Sequence, residues 1–274
     1  MGCDIHLHVE RRREDKWVKV PDPPEECSLC NGKGKNLEGE RCSICDGLGR
    51  YPVSFYGQRN YDVFAILANV RNCRGFAGCD TGDGFVPVSL PKGFPKDASQ
   101  KVLKDYTLRV VPDDEYSEDT EDPICSEEKA KEWVVEGHSR WLIPGKVVSR
   151  PDWHSASWLM LEELLEYDWS RVVKRRGFVE LKIYQKWMEV DKHGVPDEWC
   201  GGVSGSMVQV VSNQEMERRI RDKSAFNGLI HYYTIIEWEE VYSESVKDFL
   251  GEALPQLRKL GNPQDIRIVF WFDN

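Results

Sequence analysis

Residues 1–10 read MGCDIHLHVE, and the strict alternation within them decides the fold class. Laid out as a strand, Cys3, Ile5, Leu7 and Val9 point to one face and Asp4, His6, His8 and Glu10 to the other, because successive side chains alternate across the pleat. The first face is core. The second carries two carboxylates and two imidazoles in a row, so it is either a solvated surface or the floor of a site. A second arm with Trp17, Val18 and Val20 turns back around residues 12–16. The PDPPEE of residues 21–26 ends that hairpin, since proline removes ladder donors and restricts the residue before it. At the far end of the chain, residues 265–272 form an apolar run of strand length. Strands at both ends with helical periodicities between them predict an α+β fold with a mixed or antiparallel sheet and packed helices, in a single domain over residues 1–274.

Composition narrows the function classes. Apolar residues make up 40% of the chain and aromatic ones 11%, enough to bury a core and to exclude global disorder. A net charge of −10 disfavours an extended nucleic acid as partner and suits a small anionic ligand held by locally concentrated cations. The basic clusters at 11–13 and 174–176 are short and read as solvated faces. Apolar runs such as 266–272 fall well short of the roughly 20 residues of a membrane helix. With no leader-like apolar stretch at the start, the expected location is the cytoplasm, and for a phage-encoded chain the host cytosol. A homo-oligomer is compatible with all of this.

The most specific motif is CSLCNGKG at 27–34, repeated as CSICDGLG at 42–49. Cys27, Cys30, Cys42 and Cys45 supply four thiolates, and the glycines let each knuckle turn tightly so that backbone amides face the sulfurs; tetrahedral Zn²⁺ fits that set. All four positions are cysteine, so the site is closed and structural. Residues 22–50 are therefore expected to form an inserted zinc ribbon. The repeat resembles the cysteine-rich region of DnaJ-type co-chaperones, which has four such repeats where this chain has two. The resemblance implies one zinc ribbon and not chaperone activity. The count of nine cysteines, four of them in a metal-like array, argues for reduced thiols.

Further along, Val63, Phe64, Leu67 and Val70 recur at helical spacing after Asn60, a good N-cap, and Arg59, Asn60, Tyr61 and Arg71 are the polar residues of interest there. Residues 72–98 form a long Gly- and Pro-rich loop. Helices are expected from a cap at Asp97 or Ser99 to Tyr106, from Ser126 through Val135, and after Ser212, which forms a capping box with Glu215. The stretch from Arg150 to Trp169 shows a stripe of Trp158, Leu161, Leu164 and Leu165, and the pattern predicts a helix capped by Ser155 or Ser157. Such a helix would set His154, Ser155, Ser157 and Trp158 around free amides, a good place for a phosphate. A helix from 162 to about 186, broken near Gly177, a strand over 228–242 and an amphipathic helix over 243–260 complete the prediction.

Two more resemblances bear on chemistry. Asp-x-His-x-His in a first strand is similar to the metal-binding opening of amidohydrolase and PHP-type phosphoesterases, and the resemblance implies Asp4, His6 and His8 as ligands of a divalent ion whose bound water would be the nucleophile. A wider one covers MGCDIH, RNYDVFAILANVRN, PKGFPKD, HSASWLMLEEL and the closing VFWFDN. These segments together resemble a family of hypothetical proteins found mainly in bacteriophage genomes and prophages. That family has no settled activity; its members often carry Tyr or Phe where His8 stands and lack the ribbon. By analogy with phage accessory proteins that act against host defence, the resemblance implies capture or cleavage of a nucleotide signal. Three functions are thus expected as competitors. They are a pocket for a small phosphate-bearing, nucleotide-like ligand, a metal-dependent nucleotide hydrolase using Asp4 and His6, and a zinc-ribbon adaptor for nucleic acid or a host protein.

Overall fold

The structure, a computed structural model, describes residues 2–75, 78–117, 119–120, 122–190, 194–222 and 229–273. In chain order its elements begin with β1 (Asp4–Arg13), β2 (Lys16–Lys19), β3 (Pro24–Glu26), β4 (Arg50–Pro52), α1 (Tyr61–Ala68), α2 (Gln100–Tyr106), β5 (Thr107–Val111) and β6 (Ile124–Ser126). There follow α3 (Glu127–Glu136), β7 (Trp141–Ile143), β8 (Val147–Ser149), β9 (His154–Met160), α4 (Leu161–Glu166), β10 (Val172–Glu180) and α5 (Leu181–Val190). The last are β11 (Val208–Val210), α6 (Asn213–Asp222), β12 (His231–Val241), α7 (Tyr242–Ser245), α8 (Leu254–Arg258) and β13 (Ile266–Asp273), with a π-helical turn at Phe249–Ala253. The class is α+β. No helix among the described residues is long and apolar enough to cross a membrane, and all nine cysteines are free thiols.

The chain divides into two compact units. The first comprises Met1–Gly2, Asn60–Leu90 and Glu166–Gly251. Its sheet has the order β10-β12-β11, with β10 antiparallel and β11 parallel to β12. Tyr184 and Leu181 of α5 and Met216 of α6 pack on Ile236 and Trp238 of that sheet. Asn60 caps α1 by accepting from the amides of Asp62 and Val63, and Asn69 ends it in the left-handed region, which asparagine enters more readily than most residues. Arg175, predicted to be a surface cation, is instead buried. It forks onto both oxygens of Asp62 at 2.8 and 3.1 Å, and its guanidinium lies over Phe85 and Trp199.

The second unit comprises Cys3–Arg59, Pro91–Leu165 and Glu252–Asn274. Its main sheet has the order β2-β1-β13-β9, antiparallel throughout. The two ends of the sequence therefore form its centre. Every residue from Ile266 to Phe272 is buried, as expected for a strand covered on both faces. A second sheet, β6-β5-β8-β7, carries α3 on one face through Leu108, Cys125, Val148 and Ala130. The ribbon hangs from the β3–β4 pair.

Three predicted elements are corrected. Residues 154–160 are a strand, not a helix start, because β13 offers its free edge and pairing with a buried partner outweighs the short-range leucine stripe. The helix begins at Leu161 instead, where Glu163 accepts from the Met160 amide at 2.8 Å, half of a capping box. Residues 172–180 are also a strand. Gly177 is not a helix breaker there; a side chain at that position would begin 2.6 Å from Trp199. The helix predicted for 243–260 is divided into α7, the π turn and α8.

Candidate functional site

The four ribbon cysteines are buried, and their sulfurs all lie within 4.8 Å of one another. Sγ of Cys27 is 3.8 Å from that of Cys42, and Sγ of Cys30 is 3.7 Å from that of Cys45. A tetrahedral ion bonded to sulfur at about 2.3 Å sets an S···S edge of about 3.8 Å, which these two pairs match, so the thiol set could hold a metal ion. The two knuckles are built alike. Gly34 N–H donates to the Cys30 sulfur at 3.3 Å and Gly49 N–H to the Cys45 sulfur at 3.2 Å. Both glycines have φ near +71°, and a Cβ on either would lie 2.3 Å from a carbonyl oxygen of the opposite knuckle. Glycine is required there on both counts. Amides of Cys45 and Ile44 beside Cys42 hold its thiol down to about 7, whereas burial pushes Cys30 up to about 11. Among the described residues no other group of three or more His, Cys, Asp or Glu brings its ligand atoms together, Asp4, His6 and His8 included.

The polar face of β1 follows from the register. Paired residues share a face, so Asp4 with Asp273, His6 with Trp271, His8 with Val269 and Glu10 with Arg267 line one side. The other side holds Ile5, Leu7 and Val9 with Phe272, Phe270 and Ile268. At its inner end the polar face is structural. Glu10 and Arg267 are both buried; Arg267 Nε lies 2.8 Å from Glu10 Oε2, and its Nη1 lies 2.8 Å from Asp97. The second Glu10 oxygen accepts from the Ser99 amide at the start of α2. In the middle, His8 is held neutral, with its pKa pushed down to about 4 by burial and then by Lys19.

At the outer end the face opens. His6 Nε2 lies 3.0 Å from Asp273 Oδ2, and the other Asp273 oxygen accepts from the Asp4 amide at 3.0 Å, which fixes the carboxylate. The imidazole is flanked by Trp153 at 4.9 Å and by Trp271 at 5.9 Å. Trp271 is fully buried, and its indole Nε1 has no hydrogen-bond partner among the described residues. Arg59 forks onto Asp4 at 2.7 and 2.5 Å, holding that carboxyl below its ordinary range. Histidine oriented by a fixed carboxylate, a flat aromatic wall and a guanidinium together can bind an oxyanion or relay a proton.

The remaining predicted residues are distributed as follows. Arg59, His154, Ser155, Ser157 and Trp158 belong to the second unit, and Asn60, Tyr61 and Arg71 to the first. His154 pairs with Phe272 and Ser157 with Phe270, which sets both on the apolar side of the sheet, away from His6. Ser157 Oγ is buried and accepts from the Lys92 amide, and Trp158 lies under the Lys92 ammonium on the polar side. The helix N-terminus expected to present free amides there is absent, because His154–Met160 is a strand. Asn60 spends its side chain on capping and on Ser245 and Asp248, and Arg71 lies over the Tyr61 ring at 5.1 Å. Asp273, Trp153 and Trp271 were not anticipated. Antiparallel pairing of the two terminal strands, which sets Asp273 opposite Asp4, is the signal that could have found the first. No protein-family model, curated protein or solved structure matches the chain.

Proposed function

We propose that the open end of the β1–β13 polar face binds a small phosphate-bearing, nucleotide-like ligand. The observation that supports it is His6, whose ring lies against Trp153 while Nε2 is tied to a carboxylate that the backbone itself holds in place. Trp153 would stack a base, and His6 and Arg59 would take the phosphate. The Asp4–Arg59 pair is cheap to open, because its side chains are 47% and 53% exposed and such pairs contribute about 0–1 kcal/mol. A ligand that binds only the folded form stabilises it by roughly 2.7 kcal/mol at a hundredfold excess over its dissociation constant. A nucleotide should therefore raise the thermal midpoint, and His6→Ala and Arg59→Ala should each abolish the shift. A broad panel of linear and cyclic nucleotides that gives no shift would overturn the proposal.

Recovery of the ligand then separates capture from turnover. Intact recovery supports sequestration, the anti-defence role that the phage resemblance implies. Cleavage that survives a chelator assigns acid–base work to His6 and Asp273, whereas cleavage that a chelator and His6→Ala both stop but Cys45→Ser leaves intact assigns it to a metal on Asp4 and His6. In the ribbon, the ion we propose is Zn²⁺ in a structural role. A second reading, an adaptor for a protein partner, is supported by one observation: all four aliphatic side chains of residues 27–49, Leu29, Leu37, Ile44 and Leu48, are exposed.

A further inference from the structure

The small β6-β5-β8-β7 sheet packs α3 on one face only. Its other face follows from the register. Arg109 of β5 is directly opposite Ile124 of β6 and Val147 of β8, so one cation stands between two apolar side chains on that face. Above it runs α2, where Gln100, Leu103 and Lys104 share one side at the i, i+3, i+4 spacing. The helix and the sheet face border an open pocket of about 450 Å³ that these residues line with Thr107, Asp122 and Pro123. That volume is within the range of small-molecule sites, and the arrangement is the usual one of an apolar floor with a few polar groups converging on it.

Charge selects the occupant. Neither Lys104 nor Arg109 has an ion-pair partner among the described residues, although the chain as a whole carries −10. Among the described residues that line the pocket, two cations and one carboxylate, Asp122, sum to a charge near +1. That balance suits a single negative charge better than a polyphosphate. The planar guanidinium fork of Arg109 matches a carboxylate in two-point contact, and Leu103, Ile124 and Val147 offer the surface for an apolar body. We propose that this pocket is a second ligand site, for a small carboxylate with a flat apolar body, with Arg109 and Lys104 as its anion-binding residues. The site lies wholly within the second unit and stands independently of the His6 reading.

Calorimetric titration of the full chain with a naphthalene carboxylate, and in parallel with the neutral naphthalene methanol, tests this. The carboxylate should bind once per chain, and the alcohol at least about tenfold more weakly, because the charged contact is missing. Arg109→Ala and Lys104→Ala, both at exposed positions that leave the core intact, should each weaken the carboxylate alone. Val147→Trp, which fills the pocket, should abolish binding of both probes while circular dichroism stays unchanged. Equal affinity for acid and alcohol, wild-type affinity in Arg109→Ala, or no binding of the carboxylate at millimolar concentration would each overturn the site.

Discussion

His8 and His6 are two residues apart on one strand face, and their surroundings assign them different chemistry. His6 is part-exposed beside a fixed carboxylate, whereas burial holds the His8 pKa at about 4 against an ordinary 6.5. An unfolded chain therefore takes up that proton near pH 6.5, while the folded chain resists until about pH 4. Between those values the unfolded state binds more protons, so stability is full above pH 6.5 and falls as the pH drops toward 4, by about 3 kcal/mol in all. Urea midpoints measured between pH 7 and pH 5 should decline in the wild type and stay nearly level in His8→Phe. Equal slopes would remove His8 from the acid response. Glycine supplies a second residue-scale test. Gly34→Ala would drive a Cβ to 2.3 Å from Gly47 O at a φ of +71°, while Gly39, at +85°, has open space around it. Strain of this kind costs about 1–3 kcal/mol, so Gly34→Ala should weaken metal binding roughly ten- to hundredfold, and Gly39→Ala by much less. Competition with a chromophoric chelator reads both. The zinc-like spacing made these glycines visible in sequence, because the motif is local. Asp273 was hidden, because its partner Asp4 lies 269 residues away.

Elements whose signals are local are the ones the sequence disclosed. Asn60, Ser126 and Ser212 each accept from an amide two or three residues on, and a cap needs nothing further away. Residues 154–160 carry no such local instruction. HSASWLM suits strand or helix about equally, and what decides is β13, more than a hundred residues later. Likewise β10 depends on β12, which begins 51 residues after β10 ends. The Glu10–Arg267 pair shows the same dependence in energetic form, since it locks β1 to β13 and seats the first turn of α2 on Glu10. Removing one member of a buried pair strands the other. Arg267→Met should therefore cost about 3–5 kcal/mol in urea unfolding, and adding Glu10→Gln, which keeps an acceptor for the Ser99 amide, should restore much of the loss. A single variant within 1 kcal/mol of wild type would show that the pair is not what binds these elements together.

At the scale of the whole molecule, the second unit depends on three distant segments for one sheet, while the ribbon inside it depends only on itself. Its backbone bonds are internal: Cys27 N–H donates to Gly49 O, Cys42 N–H to Gly34 O, and the β3–β4 pair closes the base. None of its aliphatic side chains is buried. Four converging thiols, with Tyr51 of β4 packed against them, are thus its core, and in such a unit the free energy of metal binding is the free energy of folding. The main sheet is held otherwise, by an apolar face from Cys3 to Val9 packed with Ile268, Phe270 and Phe272. Chelation should consequently act on one part and not the other. Hydrogen exchange after treatment with a strong chelator should show amides of residues 27–49 losing protection, while those of β1 and β13 keep theirs. Cys45→Ser should reproduce the chelated pattern without any chelator, and metal analysis should fall from one zinc per chain to none. Loss of protection in β1 and β13 alongside the ribbon would mean that the metal also supports the main sheet. Unchanged protection in 27–49 would mean that the knuckles stand without it.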